Sequence, residues 1–164
     1  MSIKEAYIAE LKNESALTRK ILDRVPMDNK EWRPHEKSMT IGRLATHIAE
    51  IPFWISRVIN SREYDFSGAP FTPYTASTKE ELLGIFQKKC ETALADLENT
   101  SDVLLQDQWV FRKGDFIISQ SEKTAAIRKW AFSHLIHHRG QLSVYLRLLN
   151  VPVPGIYGPS ADER

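Results

Sequence analysis

The stretch from Ile127 to Leu149 decides the fold, and it reads IRKWAFSHLIHHRGQLSVYLRLL. Apolar residues recur in it at steps of three and four, which is the period of a helix with one buried face. Three histidines fall within five residues of this pattern, at His134, His137 and His138. The stretch therefore predicts a helix that carries imidazole rings, and it is the first place to look for chemistry.

The direction in which these rings point follows from a turn of about 100° per residue. On that count His138 lies roughly 40° from His134, and Ile127 and Tyr145 lie about 20° from it. The two rings then flank the middle of the apolar face, whereas Arg139 falls in the opposite half, where we expect a salt bridge in water. A buried imidazole needs partners for its ring nitrogens, and a divalent metal is one of them.

The histidines have two interpretations at this point. A single histidine on an apolar face is usually a core residue whose nitrogens bond to a carbonyl or a hydroxyl. The spacing of His134 and His138 favours a metal, because rings at i and i+4 reach the same ion. His137 is expected to bond locally, and it is the substitute ligand if His138 is not one. The residues of this stretch leave both interpretations open.

A third histidine of this kind lies on an earlier predicted helix. His47 falls within about 60° of Leu44, Ile51 and Trp54 and so points inward, near one edge of the apolar face. Together with His134 and His138, it would offer three neutral nitrogen ligands of the kind that suit zinc, nickel or ferrous iron. Three protein ligands leave one position open, as catalytic metal sites do, although a core histidine remains the alternative.

The rest of the chain predicts an all-α fold, a four-helix bundle formed by residues 1–164 as a single domain. Its helices begin near capping residues, at Ser2, Thr40, Ser77 or Thr78, and Ser121. Pro52 should bend or interrupt the second helix, because proline removes a backbone donor. Residues 61–77 are expected to form an irregular segment that crosses the surface. Its aromatic side chains, including Phe71, either line the mouth of a cleft or pack against the protein. A small hairpin around Lys113 and Gly114 should precede the last helix.

Composition excludes several classes of protein. The chain has 164 residues, a net charge of +1, 42% hydrophobic and 26% charged residues, all ordinary for a globular protein. It shows neither a basic stripe for nucleic acid nor an apolar run of membrane-spanning length. Cys90 is the only cysteine, so no internal disulfide forms, and the first residues lack an apolar leader. We therefore expect a cytoplasmic protein without a nucleic-acid or membrane partner.

Several neighbours of the histidines are candidates for a role in catalysis. Gln141 could orient a ligand ring or bond to substrate, and Glu50 could accept a proton. Tyr145 could donate to a developing anion. Each residue also has a simpler interpretation. The glutamine could only bond to a carbonyl, the carboxylate could be solvated, and the tyrosine could only pack against its neighbours. Gly140 is expected to allow a close helix approach, and the carboxylate of Asp162 either reaches a histidine or stays in water.

These motifs resemble the DinB/YfiT-like superfamily over nearly the whole chain. The similarity rests on the blocks LATH ending at His47 and HLIHHRGQ from His134 to Gln141. It is supported by WRP from Trp32 and by the tail IYGPSAD from Ile156. The resemblance implies a four-helix bundle with a divalent metal on three histidines, which match His47, His134 and His138 here. It also implies a homodimer.

The resemblance implies a function less narrowly. Several relatives join a low-molecular-weight thiol, such as bacillithiol, mycothiol or glutathione, to an electrophile, whereas others are thiol-dependent isomerases, hydrolases or uncharacterised. We predict a metal-dependent thiol S-transferase with a small-molecule substrate. The alternatives are a hydrolase that uses metal-bound water and a non-catalytic, stress-associated metal-binding protein. An enzyme should have an open cleft beside the metal position, and a binding protein should have that position buried.

Overall fold

The computed structural model describes residues 2–68 and 72–163, so Phe71 lies outside the described part of the chain. The helices are α1 (Ile3–Leu22), α2 (Ile41–Glu50), α3 (Phe53–Ile59), α4 (Lys79–Asn99), α5 (Asp102–Leu105), α6 (Lys123–Ile127) and α7 (His134–Leu148). The strands are β1 (Glu63–Asp65), β2 (Gln108–Lys113) and β3 (Phe116–Glu122). A 3₁₀ turn spans Met27–Asn29, and a π-helical segment, Arg128–Ser133, joins α6 directly to α7.

The starts of α1, α2 and α4 follow the predicted capping residues, whereas α6 begins at Lys123, after strand β3, and has no side-chain cap. Ser2 accepts a hydrogen bond from the backbone of Glu5 and donates its own N–H to the Glu5 carboxylate at 2.7 Å, which confirms the predicted capping box. Thr40 caps α2, and Thr78 caps α4. The predicted break at Pro52 is also present, because α2 ends at Glu50 and α3 begins at Phe53.

A three-stranded sheet corrects the all-α prediction. The hairpin of β2 and β3 is present and turns at Gly114, whose φ of +58° suits a glycine. Strand β1 pairs parallel to β2, within the segment that the sequence predicts to be irregular. Three residues are too few to show a strand periodicity. The pairing is made by backbone hydrogen bonds, and Arg112 on β2 adds ion pairs to the carboxylates of Glu63 and Asp65.

The buried side chains form two clusters, one at each end of the long helices. The first lies where α2, α4 and α7 meet and includes Leu44, Ile48 and Leu142. The second joins α3, α6 and the sheet and includes Ile55, Trp109 and Phe132. Trp54 packs against both clusters. Within residues 2–68 and 72–163, none of the helices has the length and apolarity that a membrane crossing requires.

The π-helical segment changes which face of α7 is buried. A π turn holds more residues than an α turn. Directions counted at 100° per residue across Arg128–Ser133 are therefore displaced by about one residue, which is about 100° around the helix axis. The buried line of α7 is Leu135, Arg139, Leu142 and Leu146. His134 and His138 are half-buried at the edge of this line. The prediction that they flank the middle of the apolar face is therefore wrong.

Arg139 is the clearest correction, because it lies in the interior and not in water. Its side chain is 3% exposed and pairs with the buried carboxylate of Glu14 on α1 at 2.7 Å. It also donates to Thr18 at 3.0 Å and to the hydroxyl of Tyr157. The face of α7 opposite the histidines is thus covered by α1 and the C-terminal tail.

Two smaller expectations about this region are also settled. A Cβ built on Gly140 meets no described atom within 4 Å, so the expected close helix approach is absent there. The tail does fold back onto the helices, but the carboxylate of Asp162 binds Arg147 at 2.7 Å and the N–H of Val153 at 2.8 Å. It does not reach a histidine. The tail is therefore held to α7 by an ion pair.

Candidate metal centre

The three histidines singled out from the sequence lie together in the structure. His47 comes from α2, and His134 and His138 come from the first two turns of α7. One ring nitrogen of each lies within 4.8 Å of the others, and the Nε2 atoms of His47 and His134 are 3.1 Å apart. The ring centroids are separated by 4.6 to 4.9 Å. The packing of α2 against α7 therefore brings three imidazoles to one point.

His134 is oriented by the backbone of the π-helical segment. An α-helix would pair the carbonyl of Trp130 with the N–H of His134, but that N–H donates to Ala131. The Trp130 carbonyl instead accepts from Nδ1 of His134 at 3.2 Å. A carbonyl only accepts, so Nδ1 carries the proton and the lone pair of Nε2 faces the other rings.

Gln141 orients the ring of His138 in the same sense. Its Oε1 accepts from Nδ1 of His138 at 2.7 Å, while its Nε2 donates to Nε2 of His137 at 3.1 Å. His138 is therefore protonated on Nδ1 and directs Nε2 away from Gln141. His137 is exposed and lies outside the cluster. Metal-binding histidines commonly donate their second ring N–H to a carbonyl of this kind.

The surroundings keep all three rings neutral at neutral pH. Burial, followed by the proximity of His138 and His134, lowers the pKa of His47 to about 3. Burial also lowers the pKa values of His134 and His138, and neighbouring histidines lower them further. A metal needs the neutral imidazole, so it would not have to displace protons from these nitrogens.

The donor set fits a divalent metal of the borderline type. Zinc binds imidazole nitrogen at about 2.0–2.1 Å, which places two tetrahedral ligands about 3.3 Å apart. The Nε2 separation of 3.1 Å between His47 and His134 is close to that value. Three neutral nitrogens suit zinc, nickel and ferrous iron better than they suit magnesium or calcium, which prefer oxygen.

A cleft of about 400 Å³ opens beside the cluster. Its walls are formed by His47, Glu50, Ile51, Phe53, Trp54, Tyr64, Lys89, Trp130 and His134. Two histidines of the cluster thus lie in the wall of a space large enough for a small organic molecule.

The other candidate residues are distributed differently around the cleft. Glu50 lies in its wall, where Arg43 binds its carboxylate at 2.8 Å. Tyr145 is not part of the wall and packs edge-on against Trp32, with ring centroids 5.7 Å apart. Sequence reasoning missed Lys89, whose helix carries no histidine and gives no sign of facing the cluster.

Fold and site together define a mostly helical protein with a three-histidine cluster suited to a metal. The chain belongs to the DinB family, whose model matches residues 1–164. Two relatives from Bacillus subtilis (strain 168) are both described as uncharacterized proteins. YrdA is 26% identical over 152 residues, covering 92% of this chain and 85% of its own. YjoA is 26% identical over 133 residues, covering 80% of each.

Solved structures share the fold. A DinB-like protein from Bacillus cereus ATCC 10987 superimposes with a TM-score of 0.74 at 22% identity, over 93% of this chain and 97% of that one. The DinB-like protein YjoA from B. subtilis gives a TM-score of 0.67 at 19% identity, over 96% and 97% of the two chains. These similarities extend over nearly the whole chain.

Proposed function

We propose that this protein is a metal-dependent enzyme that activates a low-molecular-weight thiol for transfer to an electrophile. The observation that carries the proposal is the cluster of three histidines, two of which, His47 and His134, lie in the wall of an open cleft. A binding protein would bury the free metal position, whereas here the cleft gives a small molecule access to His47 and His134. Family membership supports the metal more directly than it supports the thiol.

The histidines would hold a zinc, nickel or ferrous ion through their Nε2 atoms, the native metal being a matter for measurement. A divalent metal in this position would lower the pKa of a bound thiol, so that a thiolate would be available at neutral pH. The thiol loses its proton, its sulfur forms a bond to the electrophilic atom, and the leaving group departs with the bonding electrons.

The residues of the chain would contribute to this reaction in three ways. The Trp130 carbonyl and the Gln141 amide fix the tautomers of His134 and His138, so that both rings present a lone pair to one point. The aromatic walls of the cleft offer a surface on which the apolar part of a reactant can pack beside the histidines. Glu50, held by Arg43, offers an acceptor for the thiol proton at the edge of the cleft.

The metal is tested by elemental analysis of protein purified without a histidine tag. We expect about one equivalent of zinc, nickel or iron, with the metal lost in His47→Ala and in His138→Ala, because two ligands do not make a tight site. The matched control is His35→Ala, which removes an exposed histidine outside the cluster. Metal that survives in both cluster variants would refute the ligand assignment.

The thiol is tested on the cobalt-substituted protein. Coordination of a thiol produces a sulfur-to-cobalt charge-transfer band in the near ultraviolet, so glutathione, bacillithiol and mycothiol can be titrated directly. Turnover is then followed with monochlorobimane as the electrophile. The proposal predicts a band with at least one thiol and a transfer rate that falls to background in His47→Ala. A metal-loaded protein that gives neither a band nor turnover with any of these thiols would overturn the thiol assignment.

A further inference from the structure

The wall of the cleft is mainly aromatic. Trp54 lies among the other aromatic residues of the wall. The centroid of its ring is 6.2 Å from that of Phe53, 5.3 Å from that of Tyr64 and 6.1 Å from that of Trp130. Such a wall buries a flat or apolar group well, since aromatic faces and edges both offer a large contact area. The geometry therefore favours a ligand with an apolar body.

Two cations stand at the Phe53 side of this wall. The ammonium of Lys89 on α4 and the guanidinium of Arg57 on α3 each lie 5.0 Å from the centroid of the Phe53 ring. Among the described residues, the ion pairs include neither of these two cations. The only carboxylate in the wall belongs to Glu50, and Arg43 already neutralises it at 2.8 Å.

This charge distribution decides which kind of polar group a ligand carries. An aromatic wall with a free carboxylate would suit a cationic ligand, such as a quaternary ammonium. Here the carboxylate is paired and two positive charges remain, so a cation would be repelled and an anion attracted. Lys89 lies in the wall itself and is the group that an anionic substituent can reach.

We propose that the cleft binds an organic anion with an apolar or aromatic body, whose acidic group pairs with Lys89. This inference rests on the proposed function, because it names the substrate class for the same site. The anionic group belongs either to the thiol or to the electrophile. Lys89 is a specificity-determining residue in this assignment, and it takes no part in holding the metal.

The binding test uses a matched pair of probes and needs no turnover. The anionic probe is 2-phenylethanesulfonate, chosen because a sulfonate is a poor ligand for divalent metals, and the uncharged probe is 2-phenylethanol. Binding to the metal-loaded protein is followed by the fluorescence of Trp54 and Trp130, which line the cleft. Lys89→Met removes the charge at nearly constant length. Lys88→Met is the matched control, since it makes the same change at an exposed position one residue away.

We expect the sulfonate to bind wild-type protein about tenfold more tightly than the alcohol, which corresponds to one charge-assisted contact. Lys89→Met should lose about that factor for the sulfonate and leave the alcohol unchanged, while Lys88→Met should match the wild type. Equal binding of the two probes to wild-type protein would overturn the proposal. So would equal losses in the two lysine variants, which would indicate a general effect of net charge.

Further measurements separate this inference from the proposed function. Metal content and melting temperature should be the same in Lys89→Met and wild type, because Lys89 is neither a metal ligand nor a core residue. If thiol transfer is found, Lys89→Met should raise KM for the anionic reactant alone, and this identifies whether that reactant is the thiol or the electrophile. If thiol transfer is absent, the probe titrations still decide the anion proposal.

Discussion

Replacing Arg139 by methionine should destabilise the protein far more than an ordinary arginine substitution on this helix. The side chains of Arg139 and Glu14 are only 3% and 7% exposed and form a 2.7 Å ion pair. Arg139→Met leaves the Glu14 carboxylate buried, with donors remaining at the Tyr157 hydroxyl, 2.8 Å away, and the Asn13 amide, 3.3 Å away.

The magnitude follows from the cost of an unpaired buried charge. Breaking a buried pair from one side costs about 3–5 kcal/mol, and the two remaining donors place this case near the lower end. A loss of about 3 kcal/mol lowers the melting temperature by about 6–12 °C for a chain of this size, at about 2–4 °C per kcal/mol. Urea unfolding of the metal-free protein, followed by tryptophan fluorescence, measures the free energy without a contribution from metal binding.

An exposed pair on the same helix provides the control. Arg147 and Asp162 are also 2.7 Å apart, but their side chains are 51% and 26% exposed, so Arg147→Met should cost about 1 kcal/mol or less. The double variant Arg139→Met with Glu14→Leu removes both buried charges. The free energy of unfolding of this double variant should be about 2 kcal/mol higher than the two single losses predict when they are added. If Arg139→Met costs no more than Arg147→Met, or the two buried substitutions are additive, the unpaired-charge argument fails.

Three further predictions concern the histidines and the cysteine. The pKa of His47 is about 3 in the folded protein against an ordinary 6.5, so the unfolded chain binds more protons between these pH values. The melting temperature of the metal-free protein should therefore fall as the pH falls below about 6.5. This fall should be less steep in His47→Asn. Gln141→Leu should weaken metal affinity about 10–100-fold in a chelator competition, whereas His137→Ala should have a smaller effect. Burial raises the pKa of Cys90 to about 12, so iodoacetamide at pH 7.5 should label it, by mass spectrometry, only after unfolding.

Much of the local structure could be predicted from the sequence because it depends on local chemistry. The capping box at Ser2, the cap at Thr40 and the break at Pro52 each involve residues within one helical turn of each other. The nearness of the three histidines was also predicted, although His134 and His138 lie at the edge of the buried line of α7 and not at its middle. A resemblance in motif order supplied the expectation that the helices of His47 and His134 meet.

What could not be predicted depends on contacts between distant segments. Strand β1 forms by pairing with β2, a distant segment of the chain whose Arg112 also binds the carboxylates on either side of Tyr64. Arg139 was expected in water because a charge on a helix usually is. Its burial requires Glu14, 125 residues away, and Tyr157 in the tail. The periodicity of α7 alone does not indicate that such partners are present.

The position of the cleft follows from two interruptions in the long helices. One is Pro52, which separates α2 from α3, and the other is the π-helical segment that separates α6 from α7. Each cleft-lining histidine lies near one of these breaks: His47 is five residues before Pro52, and His134 directly follows the segment. A continuous helix keeps one buried face, whereas an interrupted helix presents different faces to the two core clusters. The cleft lies between those clusters, because its wall includes Ile51 of the first cluster, Trp130 beside the second, and Trp54, which packs against both.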